Sequence, residues 1–202
     1  MNILVTLDRN YLPPLRVMLG SLLRNDPGET FEIYAIGDGL LPEDWAALDA
    51  LCRGRLHPVE VPADLFADAP VARYWTRAMY YRLLAAELLP RNLDRVLYLD
   101  PDILVINSVR ALYDTELAGN LMAAATHTGL LAGITDPVNR LRLENYEAEA
   151  YYNSGVLLMD LAATPEQLDS PMLFCSGRQG TASSSPDVVG EDLKPLFETI
   201  LE

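Results

Sequence analysis

Two aspartates interrupt an apolar stretch near the middle of the chain. Asp100 and Asp102 flank Pro101, after the apolar run 96–99 and before the run 103–106. Residues i and i+2 of an extended backbone project to the same side, so the two carboxylates are expected to converge. Converging carboxylates repel each other unless a proton or a cation lies between them, and Mg²⁺ or Mn²⁺ suits oxygen ligands best. The alternative is a solvated turn at the end of a strand, since Asp and Pro both favour turns.

The charge of the chain limits its ligands. The 202 residues carry a net charge of −14, and Lys194 is the only lysine. Such a surface repels nucleic acids and anionic membranes. An anionic ligand therefore needs an arginine, a helix N-terminus or a metal ion to reverse the local field, which favours the metal interpretation of Asp100 and Asp102.

Several features of the sequence predict a soluble, cytoplasmic protein. No apolar run reaches the roughly 18 residues that a transmembrane helix needs. The N-terminus has no basic segment and resembles a strand more than a signal peptide. Cys52 and Cys175 lie far apart, which is typical of a reducing compartment rather than of a disulfide framework.

Strand-like and helix-like segments alternate, which predicts an α/β fold around a mostly parallel sheet. The expected strands are 3–7, 31–36, 57–61, 96–99, 121–126 and 156–159, and the expected helices are 13–24, 42–51, 73–89 and 108–112. Ligands of such sheets bind beyond the carboxyl ends of the strands, where Asp8, Asp38 and Asp100 lie. Helix capping or turn chemistry is the alternative role for Asp8 and Asp38.

Arg82 stands out within the expected helix 73–89, because its helical face carries mainly small apolar side chains. An arginine in such surroundings needs an anionic partner. That partner is either a structural aspartate or a ligand phosphate bound in a bidentate manner, and the helix alone does not decide between them.

The segment 153–155, Asn-Ser-Gly, precedes an apolar strand. Gly155 would permit a close approach of another group to the backbone, although the local pattern favours an ordinary turn. Residues 127–150 are expected to form a loop with a helix near 138–145. From about residue 168 the composition changes: 176–190 is typical of a linker, and 191–202 of a small amphipathic helix.

Four ordered blocks of this sequence together resemble family 8 glycosyltransferases, the retaining group that includes bacterial lipopolysaccharide galactosyltransferases and glucosyltransferases and glycogenin. The blocks are 6–11 (Thr-Leu-Asp-Arg-Asn-Tyr), 77–90 around Tyr-Arg-Leu, 97–105 around Asp-Pro-Asp, and 152–158 around Asn-Ser-Gly.

The resemblance implies a GT-A fold: a single Rossmann-like nucleotide-binding domain, here residues 1–167, with a central, mostly parallel sheet. It implies transfer of a hexose from UDP-galactose or UDP-glucose, with retention of configuration, to an unknown saccharide or glycolipid acceptor, as in lipopolysaccharide biosynthesis. Mn²⁺ or Mg²⁺ would be held by Asp100 and Asp102, and Asn153 and Ser154 would be the catalytic residues beside the donor sugar. The residues that the resemblance assigns to the nucleotide sugar are Thr6, Leu7, Asp8, Asn10, Tyr11, Arg82, Asp100, Pro101 and Asp102.

The chain also departs from the family. Members continue after the Asn-Ser-Gly block with a Gln/Asp pair and with a His, followed by Gly and Lys, that supplies a third metal ligand. Neither motif is present, since His57 and His127 lie upstream and Lys194 lacks the His-Gly context. The expectation is a C-terminally truncated enzyme with an atypical tail, 168–202, whose metal site has two protein ligands. Residues 191–202 leave a homodimer open.

Two other functions are compatible with parts of this pattern. A catalytically impaired module that binds UDP or a UDP-sugar would follow from the truncation. A phosphatase of the haloacid dehalogenase type also places Asp-x-Asp after an apolar strand. That class needs a lysine on the sheet, however, and Lys194 lies in the tail.

Overall fold

The computed structural model describes residues 1–62, 65–66, 77–126 and 152–162. The predictions for the loop 127–150 and for the tail 168–202, including its linker and its helix, lie outside these residues. Within the described ranges, no helix has the length and hydropathy that crossing a bilayer requires.

The described elements alternate as the sequence predicts. The strands are β1 (Asn2–Asp8), β2 (Glu32–Asp38), β3 (Leu56–Pro58), β4 (Arg95–Leu99), β5 (Met122–Thr126) and β6 (Tyr152–Asp160). The α-helices are α1 (Leu12–Asn25), α2 (Pro42–Leu51), α3 (Ala85–Leu88) and α4 (Arg110–Tyr113), and short 3₁₀ helices cover Arg9–Tyr11, Arg77–Met79 and Tyr81–Leu84.

The strands form one sheet in the order β3-β2-β1-β4-β6-β5. The neighbours β3, β2, β1 and β4 are parallel, whereas β6 runs antiparallel to both β4 and β5. The mostly parallel α/β sheet that the sequence predicts is therefore confirmed. The carboxyl ends of β1 and β4 lie side by side at one edge, since Leu4 pairs with Tyr98.

Alternate residues of each strand enter two apolar layers. Ile3 of β1 and Leu97 of β4 belong to the layer that packs against α1 and α2. Leu4 and Tyr98 belong to the opposite layer, which packs against residues 78–89. This period of two places even-numbered residues of β1 and β4 on the face that packs against the 3₁₀ helices Arg77–Met79 and Tyr81–Leu84.

The prediction of one long helix over 73–89 is wrong for the described residues 77–89, which form two 3₁₀ helices followed by α3. The Leu83 amide donates to the Tyr80 carbonyl, three residues back, at 3.0 Å. The side chain of Arg82 donates instead to the Met79 carbonyl at 2.8 Å. A tertiary role of Arg82 thus overrides the helix propensity of this segment.

Two strand boundaries also differ from the prediction. β3 ends at Pro58 rather than at residue 61, although the Val59 amide still donates to the Ala35 carbonyl at 2.9 Å. β6 begins at Tyr152, so Asn153 and Ser154 lie in the strand rather than in a turn before it.

Candidate functional site

Asp8 ends β1 and caps the 3₁₀ helix Arg9–Tyr11. Its Oδ1 accepts a hydrogen bond from the Asn10 amide at 2.7 Å, so the capping role that the sequence left open is present. Asp38, at the end of β2, lies in register with Asp8. The carboxyl ends of these strands therefore assemble acidic side chains at one edge of the sheet.

Asp100 follows the last residue of β4 and is held on one carboxylate oxygen. Its Oδ1 accepts a hydrogen bond from the Tyr98 hydroxyl at 2.5 Å and lies 3.1 Å from Nη1 of Arg82. The main chain is fixed as well, because the Asp100 amide donates to the Gly155 carbonyl of β6 at 2.8 Å. The position of this residue is therefore determined by three segments of the fold: β4, the 3₁₀ helix that carries Arg82, and β6.

Arg82 is the cation of the site, and it is only 9% exposed. Besides its ion pair with Asp100, its Nη1 donates to the Ser154 carbonyl at 2.8 Å. The guanidinium carbon lies 4.4 Å from the centroid of the Tyr98 ring, which is within the range of a cation–π contact. Of the two partners that the sequence left open, the structure contains the aspartate, and that aspartate is Asp100, itself a predicted ligand-binding residue.

Tyr98 is a residue of the site that the sequence analysis counted only as part of an apolar strand. Its side chain is fully buried, and its hydroxyl lies 3.3 Å from Thr6 Oγ1 as well as 2.5 Å from Asp100 Oδ1. Burial, reinforced by the charge of Asp100, raises the pKa of the Tyr98 phenol, so the hydroxyl stays protonated and can donate. The signal in the sequence was its position two residues before Asp100, on the same face of β4.

Gly155 makes room for the second oxygen of Asp100. A Cβ on residue 155 would lie 2.5 Å from Asp100 Oδ2 and 3.1 Å from Asn153 Oδ1, both too close for an unstrained contact. The close approach that Gly155 permits is therefore present, and the ordinary turn that the local pattern favoured is not.

The two aspartates are not presented by an extended backbone. Pro101 and Asp102 form a turn, with the Ile103 amide 3.4 Å from the Asp100 carbonyl. The extended backbone that the prediction of convergence assumed is therefore absent, because β4 ends at Leu99 and a proline in the second position of a turn reverses the chain. The turn that the sequence left open as the alternative is present. Asp102 is exposed at the tip of this turn, next to the half-buried Asp100.

Tyr11 connects the acidic groups of β1 and β4. Burial, followed by the charges of Asp102, Asp8 and Asp100, raises the pKa of its phenol. The Tyr11 phenol therefore stays protonated at neutral pH and can donate a hydrogen bond.

The remaining predicted residues lie around this centre. Leu7 is buried in the core, so any contact that it makes with a ligand comes from its backbone. Pro101 is buried and Asn10 is exposed. Asn153 Oδ1 accepts from the Gly155 amide at 2.7 Å, which places Asn153 and Ser154 beside Asp100.

The family model of glycosyl transferase family 8 matches residues 2–169. The chain belongs to glycosyl transferase family 8. Among curated family members, it is 28% identical to lipopolysaccharide 1,3-galactosyltransferase of Salmonella typhimurium over 79% of this chain and 48% of that protein. It is 29% identical to lipopolysaccharide 1,2-glucosyltransferase of Escherichia coli over 80% of this chain and 48% of that protein. The chain thus spans about half the length of the curated relatives that it matches.

A solved structure confirms the GT-A fold of this family 8 chain. The galactosyltransferase LgtC, in complex with donor and acceptor sugar analogs, superposes with a TM-score of 0.71 and 29% identity. The match covers 80% of this chain and 58% of LgtC.

The residues of the family 8 site fit a divalent cation. Within the described residues, neither Asp100 Oδ2 nor the Asp102 carboxylate accepts a hydrogen bond, so both offer free oxygen ligands. No group of three His, Cys, Asp or Glu side chains suited to a metal occurs in the same ranges. Two carboxylates are nevertheless sufficient for a hard cation that completes its coordination with water and the phosphates of a substrate.

Proposed function

We propose that this chain transfers a hexose from UDP-galactose or UDP-glucose to a saccharide or glycolipid acceptor, with retention of configuration. The observation that carries the proposal is that Asp100 and Asp102 directly follow β4, with the Asp100 carboxylate oriented by Tyr98 and Arg82, at the strand ends where α/β sheets bind nucleotides. Membership of glycosyl transferase family 8 supplies the reaction class. Two relatives are named as a lipopolysaccharide galactosyltransferase and a lipopolysaccharide glucosyltransferase, which supports the choice of donors and a glycolipid acceptor.

The proposed division of labour follows from the chemistry of each group. Asp100 and Asp102 would hold Mn²⁺ or Mg²⁺, which supplies positive charge against the diphosphate leaving group. Thr6, Asp8, Asn10 and Tyr11 lie on β1 or directly after it, where a uridine would be bound. Asn153 and Ser154 would face the donor sugar from β6.

Arg82 would have two roles in the proposed site: it orients Asp100, and it adds positive charge. Its charge is shared between the Asp100 carboxylate and the Ser154 carbonyl, so it fixes the side chain that would hold the cation. A donor diphosphate would add anionic oxygens near the same guanidinium, which is suited to bidentate contacts.

A second candidate function is a module that binds UDP or a UDP-sugar without efficient transfer. The observation that favours it is the count of two carboxylates, without a third ligand group in the described ranges. Because the chain spans about half of its curated relatives, the acceptor side is the part in which the two candidates differ.

Two measurements test the proposal. Isothermal titration calorimetry with UDP, with and without Mn²⁺, should show metal-dependent binding, and no binding at millimolar UDP would refute both candidates. Release of UDP from UDP-galactose and UDP-glucose should depend on Mn²⁺ in the active enzyme, whereas binding without release identifies the second candidate. The anomeric proton of the product, observed by NMR, reports retention.

A matched pair of variants tests the metal assignment. Asp102→Asn should abolish metal-dependent UDP binding, whereas Asp114→Asn removes another exposed carboxylate, at the end of α4, and should leave it unchanged. Equal behaviour of the two variants would contradict the assignment of Asp102 as a ligand.

We also propose a cytoplasmic location, because Cys52 is a buried free thiol and UDP-sugar binding is compatible with a reducing compartment. A homodimer through residues 191–202 stays a prediction, which light scattering of the full chain against a chain ending at residue 190 would test.

A further inference from the structure

We infer that Tyr98 is a positioning residue of the donor site, whose buried hydroxyl sets the orientation in which Asp100 meets a divalent cation. The inference rests on the proposed function, because it concerns the same metal and the same carboxylate. Because its side chain is fully buried, Tyr98 would act through Asp100 and not by direct contact with the cation.

The direction of the hydrogen bonds carries the inference. An ionised carboxylate only accepts, so the single hydroxyl proton of Tyr98 is donated to Asp100 Oδ1 at 2.5 Å. Thr6 Oγ1, at 3.3 Å from the Tyr98 oxygen, must then be the donor in that pair. The result is a directed relay from Thr6 through Tyr98 to Asp100.

The relay leaves one carboxylate oxygen available. Oδ1 receives the Tyr98 hydroxyl and lies against Nη1 of Arg82, so both of its lone pairs have donors. Oδ2 lies next to Gly155, within 2.5 Å of where a Cβ would be, so only a glycine leaves room for this oxygen. Ligand carboxylates are commonly oriented in this way by a second group that is hydrogen-bonded to the oxygen that does not bind the metal.

The rigidity of the relay comes from burial. Tyr98 is fully buried and Thr6 is 3% exposed, so neither hydroxyl can exchange its partner for water without opening the sheet layer. The Arg82 guanidinium packs against the Tyr98 ring, 4.4 Å from its centroid, and helps to hold the ring in place. Loss of the Tyr98 hydroxyl would therefore free the Asp100 side chain while retaining the ring and its packing.

The experiment measures Mn²⁺ binding to the full chain by the loss of the free-ion electron paramagnetic resonance signal, with and without UDP. Tyr98→Phe should weaken Mn²⁺ binding by about tenfold, as expected when an outer-shell partner is removed. Tyr113→Phe is the matched control, because its hydroxyl accepts from the Asn2 amide at the far end of β1. It should bind Mn²⁺ like the wild-type chain.

A second pair of variants keeps the inference testable if Tyr98→Phe does not fold. Thr6→Val removes the first donor of the relay and, measured without UDP, should weaken Mn²⁺ binding by a smaller factor than Tyr98→Phe. Thr6→Ser keeps the hydroxyl and should weaken it less than Thr6→Val. Wild-type affinity in Tyr98→Phe, or equal losses in Thr6→Val and Thr6→Ser, would overturn the inference. Absence of Mn²⁺ binding by the wild-type chain would instead overturn the proposed function, and the inference with it.

Discussion

Gly155→Ala is the substitution whose consequence can be worked out most directly. Gly155 lies within β6, and its backbone conformation is open to an L-residue, so an alanine meets no backbone strain. The new Cβ would lie 2.5 Å from Asp100 Oδ2, whereas an ordinary contact begins at 3.4 Å. The carboxylate must therefore move by about 1 Å, the difference of these distances.

That displacement has two measurable consequences. Overpacking of this kind costs about 1–3 kcal/mol, and the reduced freedom of the unfolded chain returns about 0.4–1 kcal/mol. A net loss of about 1.3 kcal/mol, the difference between the two midpoints, is expected. A shift of this size also disturbs the contacts of Asp100 Oδ1 with Tyr98 and Arg82, so Mn²⁺ and UDP binding should weaken at least tenfold. Urea denaturation gives the first quantity and titration calorimetry the second.

Gly20→Ala is the matched control, because a Cβ at Gly20 in α1 has no atom within 4 Å. This helical substitution should stabilise the chain by about 0.5–1 kcal/mol and leave binding unchanged. In an Asp100→Ala background, where Arg82 keeps its carbonyl acceptors, most of the cost of Gly155→Ala should disappear, and only the milder 3.1 Å approach to Asn153 Oδ1 should remain. An undiminished cost in that background would show that the clash is not with the Asp100 carboxylate.

Three further predictions concern residues around and outside the site. In Arg82→Lys the ammonium group cannot contact Asp100 and the two carbonyls at the same time. The free energy of unfolding in urea should therefore fall by about 1.5–3 kcal/mol, and UDP binding should weaken. Unchanged values would show that the planar guanidinium is not needed. Asp44→Ala removes the acceptor for the Leu41 amide, directly before α2, and for the Arg9 guanidinium. It should lower stability by about 1 kcal/mol in thermal unfolding with donor binding unchanged. Burial, with the charge of Asp49 adding to it, raises the pKa of the Cys52 thiol to about 11. In a Cys175→Ser chain, iodoacetamide at pH 8 should therefore label Cys52 only after unfolding. Stability should fall from about pH 9 to 11, because the unfolded thiol ionises first; rapid labelling of the folded chain would contradict this.

The position of the site could be predicted from the sequence because it follows from topology. Alternating strands and helices require a parallel sheet, and parallel strands end at a common edge. Asp8 and Asp100 each end an apolar run, so their meeting at the ends of β1 and β4 needed no knowledge of side-chain contacts.

The partner of Arg82 could not be predicted, because the neighbours of a helical side chain are deduced from the 3.6-residue period of an α-helix. The segment 77–84 instead forms 3₁₀ helices, which change the direction of every side chain relative to that period. The ion pair also joins two separate segments, the 3₁₀ helix of Arg82 and the turn after β4, and no local sequence pattern predicts such a tertiary contact.

Tyr98 was missed for a different reason. In a buried strand a tyrosine contributes to the apolar count, and its hydroxyl carries no weight in a periodicity argument. A tyrosine two residues before an aspartate at the end of a strand is nevertheless a useful sign of a contact, because residues i and i+2 of an extended chain project to the same side.

The order of the strands has a consequence for how the site comes together during synthesis. β6 follows every other described strand in the chain, yet it lies between β4 and β5, so β5 has no described neighbour until β6 arrives. At about 5–20 residues per second, the ribosome needs a few seconds to produce the segment between the two strands. During that interval β4 presents an unpaired edge, and Asp100 lacks both the Gly155 carbonyl for its amide and the space beside Gly155 for its carboxylate. The nascent chain thus completes the surroundings of Asp100 only after translation has passed residue 160, and an arrest before that point would leave an aggregation-prone sheet edge.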